Sequence, residues 1–233
     1  MMIGPIVDSG ALALGGLLGV ALKGCLPTRV KESLPLIFGV ITISIGTTLI
    51  GNAQHLPVVV IALILGTLLG ELCYIENGLG FAIKKSMSWS QKHDPANEVF
   101  ITQFITLIAA FCFGSMGIFG AINEGVTKDP TILVTKAALD LFSGIIFGAV
   151  YGIRVSLIAI PQFLILAGLY LSATLIMPLL TPAMMSNFSS CGGIIFLATG
   201  LRMCGIKIFP VVNMLPSLLI VFPLTTLWVL LVK

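Results

Sequence analysis

The chain has 233 residues, of which 58% are hydrophobic and 9% charged, with a net charge of +3 and a mean hydropathy of +1.14. Soluble domains carry roughly 25% charged residues, so this composition cannot clothe a water-facing surface, and the chain reads as an all-α, polytopic transmembrane bundle. The basic residues sit between apolar segments rather than in one patch, so the expected partner is the lipid bilayer and not nucleic acid.

Crossing the hydrocarbon layer takes about 20 apolar residues in helical form. In chain order, eight segments approach that length. The first, Ile3–Leu22, is glycine-rich and interrupted by Asp8. Next come 34–51, then 56–75 with Glu71 near its end, and 99–122. The fifth, 132–153, carries Lys136 and Asp140 inside it. The sixth, 155–177, contains Pro161; the seventh, 188–203, is short; the last, 211–232, holds Pro216 and Pro223. The first and seventh are the candidates for re-entrant or broken helices. Met1 to Gly10 shows neither a basic start nor a small-residue cleavage site, so no cleavable signal is expected.

The basic residues sort these segments by side. Lys23, Arg29 and Lys31 follow the first span, Lys84, Lys85 and Lys92 the third, Arg154 the fifth, and Arg202 and Lys207 the seventh. The other side holds only Lys128, with Lys233 at the far end. Cytoplasmic loops are the ones enriched in Lys and Arg, which predicts eight crossings with both termini outside. The only long hydrophilic connection, 76–98, is then cytoplasmic. Leu79, Phe81, Ile83, Met87 and Trp89 beside Lys84 and Lys85 suit a helix lying in the interface, with a plain solvated loop as the alternative. One membrane domain, 1–233, is expected. One reading is an internal duplication of the kind transporters often carry, because Asp8, Gly16 and Lys23 of the first span match Asp140, Gly148 and Arg154 of the fifth. Chance matching among glycine-rich helices explains the same pattern.

The fifth span is the most informative. Lys136 and Asp140 are four residues apart and share a helix face. Insertion scales set roughly 3 kcal/mol against each such charge and about 0.5 in favour of each strongly apolar residue, so this helix needs protein around it. Intramembrane charges mark polar pathways or buried pairs. Asp140 and Lys136 are therefore candidates for an ion or solute pathway, with Asp8 at similar depth, and mutual neutralisation in the bundle core is the structural alternative. Gly117 and Gly120, within the run 114–120, either let helices approach closely or line an unwound, wetted stretch. Asn123 and Glu124 follow them, and Glu124 could draw cations to an outer entrance. Asp129 reads as the N-cap of the fifth span with Pro130 at its first position. Glu71 could snorkel or pair at the inner edge. Asn213, just ahead of Pro216, is a candidate partner for backbone groups the proline frees, or a substrate contact.

Enzymatic readings lack their parts. Cys25, Cys73, Cys112, Cys191 and Cys204 form no CxxC pair, and His55 and His93 lie in predicted loops, so no metal site, cofactor or Ser-His dyad is expected. Ser115 has no base near it in sequence, no HExxH pattern occurs, and Asp8 with Asp140 lacks any motif of an acid protease.

Three blocks, 3–19 (IGPIVDSGALALGGLLG), 117–140 (GIFGAINEGVTKDPTILVTKAALD) and 199–216 (TGLRMCGIKIFPVVNMLP), resemble the bacterial YqgA-like membrane proteins, the family of unknown function numbered 554. The resemblance covers essentially the whole chain. It implies a bacterial inner-membrane protein described only as a candidate transporter, and it supplies neither substrate nor residue roles. The leading expectation is a transporter or channel for a small ion or polar solute, with a pathway around the fourth and fifth spans. The alternative is a non-transporting structural or regulatory membrane protein; assembly into a homo-oligomer is left open.

Overall fold

The computed structural model describes residues 2–25, 27–86, 104–112, 114–176 and 180–231, and among them every regular element is an α-helix. In order these are α1 (Ile3–Leu22), α2 (Thr28–Ile50), α3 (Leu56–Leu72), α4 (Ile75–Ser86), α5 (104–112), α6 (Ser115–Thr127), α7 (Thr131–Tyr151), α8 (Arg154–Leu157), α9 (Ala159–Ile176), α10 (Pro182–Met203) and α11 (Ser217–Leu231). Among the described residues five stretches are long and apolar enough to cross a bilayer, a sixth is the bent pair of α3 with α4, and two apolar helices are shorter. The predicted all-helical bundle is what the chain forms, with eight spans as an approximate number.

Several boundaries shift for identifiable reasons. The seventh span is not short. Thr181 accepts a hydrogen bond from the Met184 N–H at 3.2 Å and Pro182 opens α10, so the helix begins well before Phe188. Its polar first turns escaped the hydropathy reading because Asn187 and Ser190 are buried against protein, not lipid. The eighth is shorter than expected: 211–216 is a run of turns, and α11 starts at Ser217. Pro216 precedes the helix and its carbonyl receives the N–H groups of Leu219 and Ile220, so it starts α11 and breaks nothing, whereas Pro223 lies inside. In the fourth span the irregular backbone is at Gly114, which is extended (φ −60°, ψ 134°), and 115–127 is regular helix. The sixth is split into α8 and α9 ahead of Pro161, which sits in the first turn, where its missing N–H costs nothing.

The third span bends by 47° between Leu56–Leu72 and Ile75–Phe81, at Tyr74, whose φ of 51° is rare for a bulky residue. The front of the predicted interfacial connection is therefore helical (α4). Its remainder, including Met87, Trp89, Lys92 and His93, lies outside the described residues, as do Lys233 and the start of the fourth span from Val99.

The chain divides into two compact units, Met1–Ile37 with Phe111–Leu180, and Phe38–Ala110 with Thr181–Lys233. In the first, α1 packs along α7. A Cβ on Gly15 would lie 2.4 Å from the Leu141 carbonyl oxygen, and one on Gly19 2.2 Å from that of Ile145. Such approach leaves no room for any other residue, which is the role small residues play between membrane helices. Because the contacts advance together in number, α1 and α7 run parallel. α6 and α9 complete this unit against them. In the second unit, Gly39 meets Gly200 and Gly46 meets Gly193, while Gly66 meets Ser217 and Gly70 meets Asn213. There the numbers run in opposite senses, so α2 with α10 and α3 with α11 are antiparallel.

Candidate functional site

The parallel packing of α1 and α7 brings Asp8 onto the face that carries Lys136 and Asp140. Lys136 Nζ donates to Asp8 Oδ2 at 2.8 Å and also to Asp140 Oδ2. From α9, Gln162 Nε2 donates to the same two oxygens, at 2.7 Å to Asp8 and 2.8 Å to Asp140. Two carboxylate oxygens and two nitrogens thus alternate around a four-atom ring. Asp8 and Gln162 are fully buried, and the side chains of Lys136 and Asp140 are 7% and 9% exposed. The intrahelical pair foreseen in the sequence is in fact a three-charge cluster with an amide as its fourth member.

Its electrostatics are unbalanced. Taking an ion out of water costs several kcal/mol even after relaxation, and close pairing offsets this only when remaining lone pairs are also satisfied. Here two carboxylates face one ammonium. Asp8 Oδ1, Gln162 Oε1 and Ser9 Oγ are buried with no hydrogen-bond partner. With both carboxyls ionised the cluster would set two negative charges against one positive, while its acceptors Asp8 Oδ1 and Gln162 Oε1 lack donors. Gly117 fixes Lys136 from the side of α6: a Cβ there would stand 3.1 Å from Lys136 Cε and 3.4 Å from Leu166 Cδ2. Gly120 does the same against Leu133 and Ile132. Both glycines thus serve close packing in a regular helix and line no unwound stretch.

Glu124 is not at an entrance. It is 1% exposed and accepts from the N–H of Ile3 at 2.9 Å and of Gly4 at 3.0 and 3.1 Å. α1 has no capping side chain of its own, so this carboxylate satisfies its first amides and complements the positive end of its dipole. Asn123 only bonds within its own turn, to Thr127, and joins no cluster. Asp129 keeps a capping role one residue off the expected register: Pro130 occupies the N-cap position and Asp129 Oδ1 accepts from the Thr131 N–H at 3.0 Å. Hydrogen bonds from the Thr131 hydroxyl and N–H hold the Asp129 carboxyl below its ordinary value.

Asn213 belongs to the second unit. Its Oδ1 accepts from the Glu76 N–H at 2.8 Å, capping α4, and so it does satisfy a backbone group, though not one freed by Pro216. Glu76 in turn receives Arg202 Nη1 at 2.7 Å and the Val212 N–H at 3.2 Å. Arg202 also donates to the Phe209 carbonyl at 2.8 Å. This clasp was hidden because Arg202 counted only as a marker of sidedness. Asn187 was missed as well; it caps the start of α3 through the N–H groups of Gln54 and His55 and donates to Thr225. Gln162 left one signal, being the only amide in the apolar stretch of the sixth span. Glu71 is exposed at the end of α3.

Apolar helices of spanning length, surfaces covered by exposed Leu, Ile and Val, and charges buried among the helices at Asp8, Glu124, Lys136, Asp140 and Arg202 define a multi-helix integral membrane protein with a polar centre. By sequence comparison the chain belongs to the family described as "Protein of unknown function (DUF554)", whose model matches residues 3–226. It is 46% identical to the uncharacterized protein YqgA of Escherichia coli (strain K12) over 230 residues, 98% of each chain. It is 27% identical to the uncharacterized membrane protein YdfK of Bacillus subtilis (strain 168) over 225 residues, covering 94% of this chain and 93% of the relative. No solved structure matches it.

Proposed function

We propose that the protein is a transporter or channel for a small ion or polar solute, with its pathway in the first unit at Asp8, Lys136, Asp140 and Gln162. The observation that carries this reading is the uncompensated cluster. A purely structural ion pair gains most when its charges cancel and its lone pairs are filled, whereas this cluster sets two carboxyls against one ammonium and leaves acceptors unpartnered within apolar helices of spanning length. Intramembrane acids of that kind mark ion routes and relays. The segregation of Lys and Arg supports an inner-membrane orientation with both termini periplasmic.

The competing reading, a non-transporting structural or regulatory membrane protein, is favoured by the way Lys136 touches both acids at once. Flux into proteoliposomes separates the two. A correctly folded Asp140→Asn protein should lose most transport, roughly tenfold or more in rate given the ~1.4 kcal/mol that corresponds to each factor of ten. Parent-like flux in that variant would remove Asp140 from the mechanism.

A further inference from the structure

We infer that the Asp8–Lys136–Asp140–Gln162 cluster is a one-proton site, in which the two aspartates share a single exchangeable proton, so that the ion moved or coupled is H⁺ and not a metal cation. This rests on the pathway reading for its consequence, though the site itself can be tested without any transport.

The inference starts from the charge count. The charges acting on Asp140 are those of Lys136 and Asp8. Glu124 of α6 is taken up by the N–H groups of Ile3 and Gly4, Gln162 of α9 is neutral, and α8 offers only Arg154 at its start. Among the described residues the other ionisable group in electrostatic reach is the Cys112 thiol, which can add only negative charge. One further positive charge is therefore needed to neutralise the cluster, and the carboxylate pair is where it must sit.

Geometry selects a proton. Each Oδ2 already accepts two donors, from Lys136 and Gln162, so a metal ion would have to displace the ammonium or the amide. Among the described residues no third His, Cys, Asp or Glu gathers with the pair to make a cation cage. Packing beside Lys136 is close, with a Cβ on Gly117 already within 3.1 Å of its Cε. A proton needs neither ligands nor volume. Binding forms one O–H bond on a carboxylate oxygen and turns an acceptor into a donor, which suits a site whose unpartnered atoms include the acceptors Asp8 Oδ1 and Gln162 Oε1. Release breaks that bond and returns the pair to two carboxylates. Because the acids share two donors, the proton belongs to the pair and not to either residue.

The test is infrared spectroscopy of the full-length protein in liposomes at neutral pH. The parent should show a protonated-carboxyl C=O band that is lost in Asp8→Asn and equally in Asp140→Asn, because the remaining aspartate then pairs with Lys136 as a carboxylate. The band should not respond to added NaCl at constant pH. A parent without the band, a band surviving in either variant, or one removed by sodium overturns the inference. Both variants replace a carboxyl with an isosteric amide and leave the cluster neutral, so they should fold. Thermal melting confirms this, and if either fails, loss of the parent band on alkaline titration at a single-proton stoichiometry decides in its place, two protons or none being the overturning result. Absent flux in a protein that keeps the band would overturn the transport reading alone. Proton-insensitive flux in a protein lacking the band would overturn the proton site alone.

Discussion

Lys136 is the side chain that holds the polar centre of the first unit together, since both Asp8 and Asp140 depend on it. Removing one partner of a buried ion pair typically costs about 3–5 kcal/mol, so Lys136→Met should melt well below the parent in detergent. A simple pair would be rescued by making Lys136 and Asp140 both leucine. Here that double change still strands Asp8, so recovery should require Asp8→Asn as well, and a fully stable double variant would contradict the three-charge geometry. Glu124 offers a second test. Losing a charged acceptor that serves one buried and one partly buried amide costs about 2 kcal/mol, so Glu124→Ala should lower the melting temperature clearly, and Glu124→Gln, which keeps one acceptor, by less. At Asp129 the folded state holds the carboxyl below its ordinary value of 3.8. The stability it contributes is therefore present above that value and disappears as pH falls through the lower, folded one. In Asp129→Ala the acid limb of a melting-versus-pH curve should flatten below about pH 4. These roles were only partly legible from residue types: an acid in an apolar span announces that it needs a partner without saying which helix supplies it.

Among the elements, α1 and α7 depend on glycine at their closest points. Gly19→Leu would force a side chain into the Ile145 carbonyl, 2.2 Å from the position of the new Cβ. That substitution should abolish folded protein on size exclusion, while Gly10→Ala, with nothing within 4 Å of its Cβ, should leave the elution unchanged. The limits of α1 were readable to the residue because a long apolar run against lipid has only one way to satisfy its backbone, as helix. The limits of α10 and α11 were not. Hydropathy assumes that a spanning helix faces lipid, and α10 turns Asn187 and Ser190 toward its own unit, so the signal faded where the helix was most protein-enclosed. Ahead of α11 the mostly apolar residues 211–216 form turns, held by Glu76 at Val212 and by Arg202 at the preceding Phe209.

For the whole molecule, the charge bias predicts which connections share a side of the membrane. Reporter fusions after Lys23 and after Arg202 should land on one side of the membrane, with fusions after Asp129 on the other. A shared side for all three would refute the alternating path. The relatives in Escherichia coli and Bacillus subtilis match nearly their full length, so both units belong to the shared architecture, and a fusion series in either relative should read the same way.

Composition and periodicity alone determined that the chain is helical, membrane-embedded, and burdened with charges at Asp8, Lys136 and Asp140, because a hydrocarbon solvent forces local hydrogen bonding and penalises every ion within reach of it. Tertiary structure alone decided that Asp8 and Gln162 complete the cluster, that Glu124 caps α1 instead of guarding an entrance, and that Asn213 lies in the other unit. Those assignments depend on which helices approach within a few ångströms, and contact between residues more than a hundred positions apart is set by packing of whole helix faces, which no local pattern encodes.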